Sequence, residues 1–505
     1  MNHPGQRLIR SLLRLSAFPI GLTFLVLSGV PFLLSPLVFV ALVPLIWLWE
    51  SSSGYGRAFL WAFSAGILFY FFHLHWIPEM ITDVPVPRWL LWLGMSLLVL
   101  YQALWWGLAG VSARLMRRAP VWVMAPGFAA FWTLLEYIRC HMGDLSFTWA
   151  TLWAPSLGDA PLMATAGLWG PFGISLTIAL VNALFYRAAR DRRWPALAWA
   201  AVALVLVHLA GFLPNGTRAV GTLRVAVIQP NILLEYGWEE VERAYKSLGE
   251  EVAGQGVQVV ILPESAFPGP LRYSLKAQEL AMFIARKAGA PVLMASWDKE
   301  GGKYYNTVFL VNADGKPTDR YDKVLLVPFG EHYPFHEHLP ESFLKKVDIG
   351  VGDYSRGQGI KPISLGSVSL GPYICYESLF PDIARAQVLS GAQVLLNLTN
   401  DGWFGTSLGP TEHFQLGRFR APETGRFLVR AGKTGISAIV DRKGRIVQKI
   451  GLFERGVIIG DVPLVEGLTP YMILGDWPAM LSVLILALAL GYTLLAQKNR
   501  KEGDR

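Results

Sequence analysis

The chain has 505 residues, of which 53% are hydrophobic and only 16% charged, with mean hydropathy +0.38 and formal net charge +8. Soluble domains carry about a quarter charged residues, so the composition excludes a single water-soluble globule and indicates a membrane protein. The positive excess lies beside apolar runs rather than in a basic stripe interleaved with aromatics, which argues against a nucleic-acid partner.

In chain order, eight apolar runs approach the ~20 residues that a helix needs to cross hydrocarbon. They are residues 16–34, 36–49, 58–78, 89–112, 121–138, 160–186, 195–213 and 477–496. The second is short and holds Pro36 and Pro44. Arginines precede the first run (Arg7, Arg10, Arg14), follow the second (Arg57), fourth (Arg114, Arg117, Arg118) and sixth (Arg187, Arg190, Arg192, Arg193), and join lysines after the last (Lys498, Arg500, Lys501). Every second connection is therefore basic, and the positive-inside rule puts these clusters in the cytoplasm. Seven crossings before residue 214 then carry the polar part outside, and the eighth returns the tail. A cleaved signal peptide over residues 1–34 is disfavoured, because no small-residue cleavage site is evident and further apolar runs follow at once. The expected organisation is transmembrane helices 1–7 in 1–213, an extracytoplasmic catalytic domain in 214–470, and an eighth helix with a cytoplasmic tail in 471–505. Near the end of the fifth run, Glu136 and Arg139 suit either a lipid headgroup site or a structural pair.

Between residues 223 and 463, short β-branched runs (223–228, 257–262, 291–294, 307–311, 368–374, 392–398) alternate with helix-like stretches at 238–254, 275–288 and 412–429. That alternation predicts an α/β sheet covered by helices, with function at strand ends. Three residues fall there: Glu264 after a strand ending at Leu262, Cys375 after one ending at Ile374, and Lys323 in a turn before 324–327. Singly, each has an ordinary explanation as a solvated or core residue. Together they supply a carboxylate to take a thiol proton, an ammonium to hold an oxyanion and a sulfur nucleophile, the parts of an acyl-thioester machine. A disulfide between the two cysteines would consume Cys375, so both thiols are expected free, with Cys140 unreactive. His332, His336 and His338 match no zinc spacing, and neither metal nor cofactor is expected. The apolar-studded stretch from His332 to Gly359 reads as a lid.

Four strings recur in order: Leu262-Pro263-Glu264-Ser265, then Asp322-Lys323 through Phe329-Gly330-Glu331, then Cys375-Tyr376-Glu377, then Asn400-Asp401-Gly402-Trp403-Phe404-Gly405. This order resembles the carbon-nitrogen hydrolase (nitrilase) superfamily and, with the flanking spans, its apolipoprotein N-acyltransferase family. The resemblance implies a multi-pass α-helical membrane bundle plus an α/β nitrilase-like αββα sandwich in which Glu264, Lys323 and Cys375 meet. It implies ping-pong transfer of an acyl chain from a phospholipid, through a Cys375 thioester, to the α-amine of the diacylglyceryl-cysteine of an apolipoprotein, at the bacterial inner membrane. Glu331 and Glu377 match family acidic positions, and Trp238, Tyr376 and Trp403 match family aromatics near the active site. Three positions depart from the family: Lys433 stands for Asn, Thr148 for Pro in Phe-Pro-Trp, and Glu412 for Gln before His413. The competing readings are a membrane-anchored amidase or nitrilase-type hydrolase and a non-catalytic lipid-binding scaffold.

Overall fold

A computed structural model describes residues 4–29, 34–81, 86–233, 237–334 and 354–503. The chain forms two compact units, Met1–Pro78 with Arg88–Leu213 and Ile473–Arg505, and Glu79–Pro87 with Pro214–Met472.

In the first unit each of the eight apolar runs is helical: Pro4–Ser28, Val38–Glu50, Tyr55–Leu74, Arg88–Leu115, Val121–Cys140, Ala160–Ala164 with Ala166–Asp191, Trp194–Ala210 and Trp477–Gly503. Five are long and apolar enough to cross a bilayer alone, at Tyr55–Glu79, Arg88–Leu115, Val121–Cys140, Ala166–Asp191 and Trp477–Asn499; Ser16–Ser28, Ser35–Glu50 and Trp194–Ala210 are shorter. The count of eight crossings thus remains an expectation of the sequence. The sixth run is also not one helix. Asp159 caps its first short turn by accepting from Leu162 N at 3.1 Å, and Gly170 (φ +64°) breaks the backbone before Pro171, which has no N–H to lose.

The helix Arg88–Leu115 shows what solvent this unit is built for. Leu93, Leu97, Leu100, Leu104 and Leu108 lie exposed on one face, while Met95, Val99, Ala103, Trp106 and Ala109 are buried on the other. Both faces are apolar, as a hydrocarbon surround requires. Close contact comes from small residues: a Cβ at Gly66 would lie 2.9 Å from Ala103, and one at Gly110 would lie 2.5 Å from Ala62.

The second unit is a sandwich. One sheet contains β1 (Thr217–Gln229), β2 (Val259–Ile261), β3 (Val292–Glu300), β4 (Lys303–Val311), β5 (Pro317–Asp322) and β12 (Gly456–Gly467), ordered β12-β1-β2-β3-β4-β5. The other contains β6 (Ile363–Leu365), β7 (Val368–Ile374), β8 (Val394–Thr399), β9 (Leu428–Gly432), β10 (Ser437–Val440) and β11 (Ile446–Ile450), ordered β11-β10-β9-β8-β7-β6. Strand periodicity sorts the side chains. Val225, Val227, Val259, Ile261, Leu293, Ala295, Val308 and Leu310 meet Leu370, Ile374, Leu396, Leu398, Val429 and Ala431 of the facing sheet. The alternate residues Ala226, Ile228, Val260, Met294 and Phe309 turn outward onto the helices Trp238–Val252 and Leu275–Ala288. Strands buried on both faces explain the near-continuous apolar runs.

β1, β2 and β3 run parallel, as do β7, β8 and β9. Their carboxyl ends are where Glu264, Cys375 and Asn400 emerge. Lys323 sits differently from expectation: it follows the end of β5, and residues 324–327 form no strand. The Val324 and Leu325 N–H groups donate instead to Glu377 Oε1, at 2.7 and 3.1 Å, which takes them out of any ladder.

Candidate active site

Glu264 leaves β2 after Pro263 and is almost wholly buried. Its Oε1 accepts from Asn306 Nδ2 at 2.8 Å and its Oε2 from the Asn400 backbone N–H at 2.8 Å, which joins the two sheets. Lys323 Nζ lies 3.7 Å from Glu264 Oε1 and donates to Glu331 Oε1 at 2.8 Å. Asn306 Nδ2 also reaches Glu331 Oε1 at 3.1 Å, and Glu331 Oε2 accepts from Val327 N at 2.9 Å, closing a short loop behind the lysine. Backbone bonds from Lys323 N to Asn306 O and from Gly357 N to Lys323 O, each 2.8 Å, fix where the ammonium points.

Cys375 follows β7 directly with φ +48°, in the left-handed region that non-glycine residues rarely occupy. The 3₁₀ turn Cys375–Leu379 starts there, and Glu377 holds it in place. One Glu377 oxygen accepts from Ile374 N at 2.7 Å, and the other from Tyr321 Oη–H at 2.9 Å together with Val324 N and Leu325 N. Glu377 therefore ties the backbone before Cys375 to the backbone after Lys323, without touching the ammonium.

The charges are unevenly matched. Burial raises the Glu264 carboxyl above its ordinary value, and the Glu331 charge adds to this against Lys323. Burial opposes the Lys323 ammonium, yet the Glu331 and Glu264 carboxylates outweigh it and hold the lysine charged well above its ordinary value. The Cys375 thiol is pushed up by burial and by Glu264, with Lys323 opposing. A thiol so placed needs a base as its bond forms, and two carboxylates competing for one ammonium leave Glu264 receptive to a proton. Burial likewise raises Glu377, to about 7, against Lys323 and its three backbone donors.

Sequence reasoning did not single out a second cluster. Asp401, His413 and Arg430 are all buried: His413 Nδ1–H donates to Asp401 Oδ1 at 2.7 Å, and Arg430 donates to Asp401 Oδ2 at 2.7 Å and Asn397 Oδ1 at 2.5 Å. Donor atoms of Cys375, Asp401 and His413 lie within 4.8 Å of one another. Thr399, His413 and Arg430 already occupy the Asp401 oxygens, and Asp401, Ser378 and the Cys375 carbonyl face both histidine nitrogens, so the group is poorly suited to a metal. Asn306 was also missed, being a neutral residue inside an apolar strand. Asp401 stood in the fourth string of the family resemblance and His413 next to the departure at Glu412, and that was the available signal.

The remaining candidates are placed as follows. Trp238 opens the helix Trp238–Val252 and meets Phe267 edge-on at 6.4 Å; Tyr376 meets Phe380 edge-on at 5.1 Å; the Trp403 carbonyl accepts from Ile81 N at 2.9 Å. Lys433 Nζ donates to Ser265 O at 3.0 Å, and Glu412 and Thr148 are buried. His332 Nε2 is 3.4 Å from Arg356, whereas His336, His338 and most of the expected lid (335–353) lie outside the described residues. Neither cysteine is in a disulfide; Cys140 is buried and Cys375 partly exposed. Glu136 and Arg139 are bound up with protein groups. Glu136 accepts from Leu152 N (2.6 Å), Trp132 Nε1 (3.3 Å) and Ser175 Oγ–H (2.5 Å), and Arg139 donates to Gln102 (2.7 Å) and to the Trp149 and Ala150 carbonyls (3.4 Å each). They form a structural pair.

Comparison with known proteins finds relatives for both parts of the chain. Residues 224–467 match the carbon-nitrogen hydrolase family, and residues 23–184 match the apolipoprotein N-acyltransferase N-terminal domain. Similar proteins include the apolipoprotein N-acyltransferase of Geobacter metallireducens, 34% identical over 90% of this chain and 91% of the relative. Those of Gloeobacter violaceus (32% identical, 95% and 94%) and Nitrosomonas europaea (30% identical, 97% and 98%) match over nearly full length. The chain belongs to the apolipoprotein N-acyltransferase family, a membrane branch of the carbon-nitrogen hydrolases.

Proposed function

We propose that the chain moves a fatty acyl group from a phospholipid, through a thioester on Cys375, to the α-amine of the lipid-modified N-terminal cysteine of an apolipoprotein. In the first half-reaction Glu264 takes the thiol proton as the sulfur attacks the ester carbonyl. The carbonyl oxygen becomes an oxyanion beside Lys323, a stabilisation of about 3 kcal/mol for one well-placed donor. Collapse breaks the acyl C–O bond, Glu264 returns its proton to the leaving oxygen, and a lysophospholipid departs. In the second half Glu264 takes a proton from the incoming amine, the amine nitrogen attacks the thioester, and the C–S bond breaks to leave an amide and the restored thiol. Lys323 serves as the oxyanion partner rather than the base, because its paired carboxylates keep it protonated.

The observation that carries this reading is the pairing of Glu264 with Lys323 at 3.7 Å, supported by Asn306 and Glu331, within electrostatic reach of Cys375 in its left-handed turn. Labelled phospholipid should leave a hydroxylamine-sensitive acyl group on Cys375, and a diacylglyceryl peptide should then collect it. Release as free fatty acid would favour a hydrolase, and absence of an adduct a scaffold. Cys375→Ser should abolish the thioester.

The bilayer arrangement is part of the same proposal: eight crossings, an inward amino terminus and the domain 214–470 on the outer side of the bacterial inner membrane. The arginine clusters support it. Lys361, well exposed on the sandwich, provides a test. In a background without native cysteines, Lys361→Cys should react with a membrane-impermeant maleimide in spheroplasts; labelling only after lysis would reverse the orientation.

A further inference from the structure

Cys375 holds a left-handed backbone conformation that a non-glycine residue rarely keeps, and something must over-determine it. Glu377 secures the residue before it, through Ile374 N. The carbonyl of Cys375 itself faces a different group: His413 Nε2, 3.2 Å away, with Ser378 Oγ 3.0 Å from the same nitrogen. His413 therefore touches both the first and the fourth residue of the turn that begins with the nucleophile.

The histidine is rigidly mounted. It lies on the helix Gly409–Arg418 and leans through Nδ1 on Asp401, which caps the end of β8 and is held by Arg430 from β9; Arg430 in turn is bonded to Asn397 in β8. Asn397 and Arg430 sit directly opposite each other in the β8–β9 register. A chain of buried polar groups thus runs from two central strands to the turn that begins with Cys375. Buried networks of this kind favour a single geometry, because a member pulled away from its partner would be left without water.

We propose that His413 is a positioning residue for the nucleophile: with its Nδ1–H given to Asp401, its Nε2 accepts from the Ser378 hydroxyl and packs against the Cys375 carbonyl, and so keeps the cysteine in the left-handed turn, within electrostatic reach of Glu264 and Lys323. This rests on the assignment of Cys375 as the acyl carrier. The chemistry that matters is at Nε2, since Nδ1 only anchors the ring. Glutamine places an amide oxygen near the Nε2 position, where it can accept from Ser378, whereas asparagine reaches only as far as Nδ1, so the two substitutions separate holding the turn from filling the space.

The test compares His413→Gln, His413→Asn and His413→Ala in the full-length protein in detergent micelles. Iodoacetamide alkylation of Cys375 is followed by peptide mass spectrometry, with Cys140 of the same chain as reference, alongside kcat and KM for acyl transfer. We expect Cys375 alkylation and kcat to fall at least tenfold in the asparagine and alanine variants, with KM within twofold, and to stay within threefold of the parent in the glutamine variant. Ser378→Ala, which removes the second contact at Nε2, should slow alkylation about threefold. Equal rates for Gln and Asn, or unchanged rates in all variants, would overturn the proposal; if the alanine variant does not accumulate, the Gln and Asn pair decides alone. Alkylation of Cys375 in the parent no faster than that of Cys140 would instead overturn the nucleophile assignment, and this inference with it.

Discussion

The helical unit holds the buried pair Glu136 and Arg139 and the sandwich the buried pair Glu264 and Lys323, and by exposure the two are indistinguishable: 5% for Glu136 and Glu264, 1% for Arg139 and Lys323. Their separations, 4.0 and 3.7 Å, are also close. The surroundings separate them. Glu136 is covered by neutral donors from Leu152, Trp132 and Ser175, and Arg139 by neutral acceptors, so the pair staples the segment 149–152 to the helices. A guanidinium keeps its proton throughout. In the sandwich, a second carboxylate, Glu331, claims the ammonium, and a thiol stands nearby. Burial alone therefore says little about chemistry; two acids competing for one cation beside a nucleophile leave a proton site open.

The largest test of that contrast is Glu264→Gln, which keeps the shape and removes the base. Single-turnover acylation of Cys375 should fall roughly a thousandfold, within the usual contribution of a general base. A loss below tenfold would put Glu264 on the same footing as Glu136. Lys323→Met should lower kcat/KM for transfer about a hundredfold, as expected for one oxyanion donor worth about 3 kcal/mol.

Smaller in size but sharper in sign is the pH profile. Glu264 is raised by burial first and by Glu331 second, so its base form fills in as pH rises through a value above the ordinary carboxylate range, and kcat/KM should climb with it. Glu331→Gln removes the like charge and frees Lys323 for Glu264. Both changes lower the Glu264 value, so the rising limb should move to lower pH; an unmoved limb would show that the two acids are uncoupled. The least effect on turnover belongs to Glu136→Gln. It should lower Tm, at a cost of about 1–3 kcal/mol for disturbed buried bonds, while transfer per folded molecule stays within about twofold.

How much of this was legible depended on whether a feature is local. β2 and β7 were readable because strands buried on both faces give unbroken apolar runs, and Glu264 and Cys375 follow them directly. β5 was not, since Pro317-Thr-Asp-Arg-Tyr-Asp322 is a sheet edge whose exposed face tolerates charge. β12 hid behind Gly456, Gly460 and Pro463, residues that usually mark turns. Hydropathy merged the sixth run because it is blind to the single dihedral at Gly170 that divides it. The same holds inside the site. Asp401, His413 and Arg430 are separated by up to 29 residues and join only when β8, β9 and the helix Gly409–Arg418 pack together. No periodicity in the sequence encodes that meeting.

The pairing of β1 with β12 reaches beyond catalysis. Thr217 lies opposite Gly467 and Gln229 opposite Gly456, so the long segment that builds the sandwich begins and ends at the same corner of one sheet. A module whose two ends already touch can be threaded into a host chain without the host having to bridge any gap. It can equally be rejoined head to tail by a short linker and reopened elsewhere, which makes the sandwich a natural subject for grafting and circular permutation.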